Sequence, residues 1–493
     1  MDDDRIEGVV SDEAAEGSAG LLGELVGKLR TDTLRYIPAA IVPAAISVAS
    51  VSIFTRLFDS LRYGRYALVI SITSITVMLL SGWIGQSVLR YLPRFRAEQR
   101  LGEFIIKLAV VLTGVALAVT AVFFTLKSLA GHRVDAYAAF LFPAWLLIVS
   151  EVVFVSYGAV YQASLLSRGY TALKVSRSVL RLTLALLYVL YVNRDVTVLV
   201  AAAGVANLVM IVPMLARLGI WRHVGMVTRA FDTGFLKMLA AFGLPMMGWM
   251  IASQVLGLSD RLIIAAFRDD SEVGIYSANY NLVSTGFGLV SGPILTACYP
   301  IIINAWERGN RAAIPSLIST FSRYYLFAVL PVVVCLAVFS REVVAVLLGE
   351  GFREGHTIIP FIITGVAAWG LSMLGHKGLE ILEKTGVMLR LVTVAAGVNI
   401  VLNFIVIPRY GYHGAAVTTL VSYLTYPVMV WWVSRQHIRW YVTRRTGVNL
   451  VVSGAAMTAA VYGARVLLAG RMPPVAAVVA AVVAGLLLYA GAL

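Results

Sequence analysis

Lys174, Arg177 and Arg181 recur at i, i+3 and i+7, a spacing that stacks three cationic side chains on one face of a helix. The run around them, roughly 172–192, is otherwise apolar enough to cross a bilayer. A guanidinium two turns inside hydrocarbon keeps its charge and demands water or an anion. The favoured reading is that these groups line a wet cavity and receive an anion, since the planar fork of Arg matches phosphate oxygens in pairs. Lys174, nearer the headgroups, could simply snorkel. An acidic neighbour, or a span that begins later, would account for the other two. Arg390 stands near the inner end of a later span, where a second cation could face the first. His376, Lys377 and Glu380 close the preceding span, either as a salt-bridged inner mouth or as part of a substrate site.

Glu151 is the acid set deepest in a span, about midway along 136–163. An ionised carboxylate there needs a partner or a proton, so it reads either as an ion-coupling group or as the buried partner of an Arg on the span at 172–192. Arg56, Asp260 and Arg261 fall at expected outer helix ends, where charges usually snorkel; their recurrence at two related places makes them gate or headgroup candidates. Tyr63, Tyr66, Tyr276 and Tyr280 nearby suit an interfacial aromatic belt. Asn399 and Asn403, one turn apart, call for interhelical hydrogen bonds more than for substrate. Cys298 and Cys335 sit in apolar runs and form no CxxC pair, so no metal site, disulfide framework or cofactor is expected. No Gly-rich phosphate loop of Walker type occurs, which removes direct ATP hydrolysis as the drive.

The elements that must hold these groups are membrane helices. Of 493 residues, 59% are hydrophobic and 13% charged, and the mean hydropathy is +0.85, well outside the soluble range. About fourteen spans are expected, at roughly 36–58, 64–90, 104–127, 136–163, 172–192, 196–218, 233–258, 274–304, 318–340, 356–384, 387–408, 412–434, 446–469 and 473–492. The net charge of +14 comes from short basic clusters between spans, such as 90–100, 217–229 and 434–445, and not from a nucleic-acid-binding domain. With the amino terminus inside, about two-thirds of the 40 Lys and Arg face the cytoplasm, and an even span count brings the carboxyl terminus there too. Residues 1–35 read as a cytoplasmic tail, with Leu21, Leu22, Leu25, Val26 and Leu29 on one face of a short interfacial helix. Loops are short, so any activity belongs to the helix bundle, which argues for transport over enzymology.

The two halves repeat. FTRLFDSLRYGRYAL at 54–68 and LSDRLIIAAFRDDSEVGIYSAN at 258–279 each run from an Arg through a polar turn to Gly-x-Tyr. The expected architecture is therefore an all-α integral membrane protein with lobes at 36–218 and 233–434, six helices each. A linker at 219–232 joins them, and an extra helix pair follows at 446–493. Two lobes about a central site is the layout of alternating access.

NIVLNFIVIPRYGYHGAAVTTLVSY at 399–423 resembles a signature of the polysaccharide flippases of the MOP superfamily, the Wzx-type oligosaccharide exporters. The two Gly-x-Tyr segments look like that family's other signatures, and together they frame 36–434. The resemblance implies a V-shaped cavity between lobes and a polyprenyl-pyrophosphate-linked oligosaccharide as cargo, moved across the plasma membrane for surface glycan assembly. It also implies a monomer surrounded by membrane lipids, with glycan assembly enzymes as partners and no catalysis. The same superfamily contains multidrug or cation exporters and peptidoglycan-precursor flippases, which stay open as alternatives. A membrane glycosyltransferase or polymerase is the rival of another class, disfavoured by the short loops. Within the signature, Pro408 to Gly414 reads as a tight outer turn and Gly414, Ala415 and Ala416 as a close-packing face.

Overall fold

A chain inside a bilayer must satisfy its backbone hydrogen bonds internally, and each expected apolar span is a helix. The structure, a computed structural model, describes residues 38–130, 135–222, 232–468 and 474–492. The tail at 1–35 and most of the linker at 219–232 lie outside them. In chain order the helices are α1 Pro38–Leu57, α2 Ser60–Ala97, α3 Leu101–Ala130, α4 Asp135–Ala163, α5 Ser167–Tyr191, α6 Thr197–Arg217, α7 Thr233–Phe267 and α8 Asp270–Glu307. There follow α9 Ile314–Val338, α10 Ser340–Leu347, α11 Ile359–Gly375, α12 Lys377–Ile381, α13 Thr385–Ser434, α14 Arg444–Leu468 and α15 Pro474–Ala492.

Among the described residues, eleven helices are long and apolar enough to cross a membrane. Helix α5 misses that measure because it carries the cationic face. Helix α13 has 50 residues and would be about 75 Å long if straight; it breaks at Gly411 (φ 55, ψ −140) into two crossings, as the Pro408–Gly414 segment leads one to expect. Helix α15, with 19 residues, completes about fourteen crossings. The short α10 and the 3-10 segment Glu350–Ile358 were not legible as separate elements, because both lie against apolar runs.

Two helix starts are built alike. Asp59 caps α2, accepting from the Arg62 amide, and Asp269 caps α8, accepting from the Glu272 amide. Five residues on, Gly64 and Gly274 bring α2 and α8 together: a Cβ on Gly64 would lie 1.6 Å from Asp270 O, and one on Gly274 would lie 2.1 Å from Ser60 O. At the opposite end of α2 a similar approach is made to α7, where a Cβ on Gly243 would meet Trp83 O at 2.2 Å and Ser87 Oγ donates to Leu239 O at 2.6 Å. Phe95, Phe104 and Phe235 pack edge to face beside it. There Lys107 of α3 bonds Asp232, the N-cap of α7, at 2.8 Å and holds its carboxyl below the usual range. Helix α2 is thus clamped to the second half of the chain at both ends.

Candidate functional site

Between those clamps lie two cavities. The first, about 490 Å³, is walled by α2, α4 and α5, with Met250 contributed by α7. Lys174, Arg177, Arg181 and Glu151 all line it, together with Ser74, Ser81, Gln86 and Gln162. The second, about 300 Å³, is walled by α1, α2, α5, α7 and α8, and is lined by Tyr63, Tyr66, Arg181, Arg261 and Asn281. Ile70, Ser74 and Arg181 line both, so Arg181 stands at the junction.

The cationic face exists because α5 is a regular helix entered through a left-handed turn at Leu165 (φ 56), which aims its polar face at α4 and α2. Arg177 Nη1 donates to Glu151 Oε1 at 2.7 Å and to Asn207 Oδ1 at 3.3 Å, with its guanidinium 4.4 Å from the Phe154 ring centroid. Asn207 Nδ2 donates to Glu151 Oε2 at 2.7 Å and lies 3.2 Å from Ser150 Oγ. Arg177 and Glu151 each keep 23% side-chain exposure, which opens onto the cavity. Arg181 Nη2 donates to Tyr66 OH at 3.3 Å, and Lys174 rests 5.1 Å from the Tyr170 ring centroid.

Arg390 is exposed on α13, with its Nε 3.4 Å from Gly386 O, and lines neither cavity. The cation that the second half brings opposite Arg181 is Arg261. Asp260 and Arg261 are buried inside α7, at 0% and 2% exposure, and so do not snorkel at a helix end. The helix continues to Phe267, beyond the end expected from hydropathy, because the polar pair is sheltered by protein rather than lipid. Asp260 accepts from Tyr276 OH and from Asn403 Nδ2, both at 2.5 Å, with Thr419 Oγ1 at 2.6 Å. Arg261 donates to Ser277 Oγ, Gly257 O and Asn281 Oδ1, and lies 4.8 Å from the Tyr280 ring centroid. Asn399 Oδ1 accepts from Ser259 Oγ at 2.9 Å, so both asparagines of α13 are used between helices. Tyr63 and Tyr276 are buried and not part of an interfacial belt, while Tyr66 lines the second cavity.

Arg56 ends α1 by donating from Nη2 to Val346 O, beside Gly349, whose amide donates to Thr55 Oγ1 at 3.2 Å. Lys377 and Glu380 pair at 2.6 Å, and His376 is buried against Trp249 and Tyr426. Asn207, Asn281 and Ser74 were not singled out from sequence, and Tyr66 was read there only as part of an aromatic belt. Isolated polar residues in apolar runs are the only signal they give.

Residues 32–306 match the family of polysaccharide biosynthesis proteins. A membrane protein of Methanocaldococcus jannaschii is 21% identical over 432 residues, covering 82% of each chain. The probable low-salt glycan biosynthesis flippase of Haloferax volcanii is 24% identical over 170 residues, 34% of this chain and 36% of that one. Among solved structures, lipid II flippase MurJ in an inward closed conformation superposes with a TM-score of 0.76 at 12% identity, over 92% of this chain and 96% of that one. An inward-facing multidrug resistance MATE transporter of the MOP superfamily gives 0.66 at 11% identity, over 82% and 94%. The fold is thus that of MurJ and MATE transporters, and the chain, a multi-pass membrane protein, belongs to the polysaccharide biosynthesis protein family.

Proposed function

We propose that this protein flips a polyprenyl-diphosphate-linked oligosaccharide across the plasma membrane by alternating access, both termini being cytoplasmic. The observation that carries this reading is the lining of the two joined cavities: Lys174, Arg177, Arg181 and Arg261 against the single carboxylate of Glu151. Charge-assisted hydrogen bonds from such groups suit the phosphates, the polar walls suit sugars, and the prenyl chain stays in lipid. The match to a family of polysaccharide biosynthesis proteins supports the sugar. A multidrug or cation exporter, one of the alternatives, calls for an anionic lining.

In this mechanism the lobes at 36–218 and 233–434 rock against each other, and the two clamps on α2 open in turn. The contact with α8 closes the outer face and the contact with α7 the inner one. Coupling to an ion gradient is assigned to Asp260 rather than Glu151. Glu151 has its charge answered by Arg177, whereas neutral groups surround the Asp260 oxygens at 2.5–2.6 Å. Deleting the gene should strand lipid-linked oligosaccharide on the cytoplasmic leaflet and deplete surface glycan, with unchanged sensitivity to cationic drugs. Normal surface glycan with raised drug sensitivity would overturn the reading.

A further inference from the structure

We propose that Glu151 is a resident counter-anion that occupies Arg177 while the cavity is empty and yields it to the phosphate of the incoming lipid-linked substrate. This rests on the cavity being the phosphate site. The geometry suits an exchange rather than a permanent pair. Glu151 has two holders, Arg177 Nη1 at 2.7 Å on Oε1 and Asn207 Nδ2 at 2.7 Å on Oε2, so losing the first leaves the carboxylate still bonded. Asn207 Oδ1 also lies 3.3 Å from Arg177 Nη1 and steadies the guanidinium during the change of partner. Both side chains reach the cavity, where a phosphate can approach the same guanidinium edge.

The charges that face Glu151 are Arg177 and, farther off, Arg181 on α5, with Lys174 lining the same cavity. The polar groups lent by α2 and α6, including Ser74, Gln86 and Asn207, are neutral. The charged lining of the first cavity is therefore three cations and one anion, a net +2 instead of +3. A translocator must release what it binds, and an internal anion that competes for Arg177 weakens the bound state without removing the cation that recruits substrate.

The test is binding of farnesyl monophosphate and farnesyl diphosphate to the full-length protein in nanodiscs, with transport in proteoliposomes. Glu151→Gln keeps the shape but removes the charge, and its single amide oxygen can accept from Asn207 Nδ2 or from Arg177, not from both, so Arg177 loses its anionic partner. The substitution should tighten both probes by about tenfold or more, slow their release, and lower KM and kcat together. In an Arg177→Ala background the same change should have no effect on affinity. Unchanged or weaker binding by a folded Glu151→Gln protein, with Arg181→Ala still weakening it, would overturn the counter-anion role and leave the phosphate site standing. Equally firm binding by wild type and Arg181→Ala would remove the phosphate site itself, and this inference with it.

Discussion

Replacing Gly64 with Val should wedge open the clamp between α2 and α8. A Cβ at this position would sit 1.6 Å from Asp270 O and 2.9 Å from Gly274 N, where an ordinary carbon–oxygen contact is about 3.3 Å. Backbone cannot swing aside as a flexible side chain would, so the helices must part by about 1.5–2 Å. That movement breaks the Ser60–Ser271 hydroxyl contact, now 2.5 Å, and the Arg65–Asp270 pair, now 3.1 Å. It also strains the bond from Tyr137 OH to Asp270, now 2.6 Å. The ion pair is partly exposed and contributes at most about 1 kcal/mol, and each hydroxyl bond about 0.5–1.5 kcal/mol. Closure is thus disfavoured by about 1–4 kcal/mol, roughly 5- to 1,000-fold in the open-to-closed ratio. The assay is labelling of a cysteine at Ser74, which lines both cavities, after removal of Cys298 and Cys335, using a membrane-impermeant maleimide applied from outside. Expected are faster outside labelling of the Val variant, an intermediate rate for Gly64→Ala, and slow transport by both. Unchanged outside labelling of a folded Val variant would refute the clamp.

Asp260→Asn should leave the protein in the membrane while removing any dependence of transport on a proton or sodium gradient, measured by collapsing each gradient in turn; retained dependence would move coupling elsewhere. Gly411→Ala places a Cβ 2.1 Å from Glu272 Oε2 at a φ of +55, and should lower stability by about 1–3 kcal/mol, read as a fall in Tm. Cysteines at Arg62 and Arg96, near opposite ends of α2, should label from opposite faces of sealed vesicles, Arg62 from outside.

Most of the helix content was legible because hydropathy and length answer to one constraint, the thickness of hydrocarbon, and spans such as 136–163 end where α4 does. Hydropathy cannot tell a charge in lipid from a charge sheltered by neighbouring helices. That is why Asp260 and Arg261 read as helix-end residues, although Tyr276, Ser277, Asn281, Asn403 and Thr419 surround them. The i, i+3, i+7 spacing on α5 revealed which side chains share a face, whereas their partners on α2, α4 and α6 are set by tertiary packing. The pairing of Glu151 with Arg177, one of two options open from sequence, needed the crossing of α4 and α5 to be seen. Arg390 shows the opposite case: repeat symmetry suggested a facing cation near the inner end of its span, but Arg390 is exposed and lines neither cavity, and it is Arg261 that shares the second cavity with Arg181.

The measurement that bears most directly on the proposed role is leaflet-to-leaflet transfer of a short-chain polyprenyl-diphosphate oligosaccharide in proteoliposomes, comparing wild type with Arg181→Ala and Arg181→Lys. Arg181 stands where the two cavities meet, and loss of one or two charge-assisted hydrogen bonds of about 1.5–3 kcal/mol each should slow transfer by at least tenfold in the Ala variant. The Lys variant should recover part of the rate, by restoring charge without the planar fork. Transfer by Arg181→Ala at the wild-type rate, or equal transfer of the same oligosaccharide on a lipid that lacks phosphate, would contradict a flippase that holds its substrate by the phosphates in this cavity.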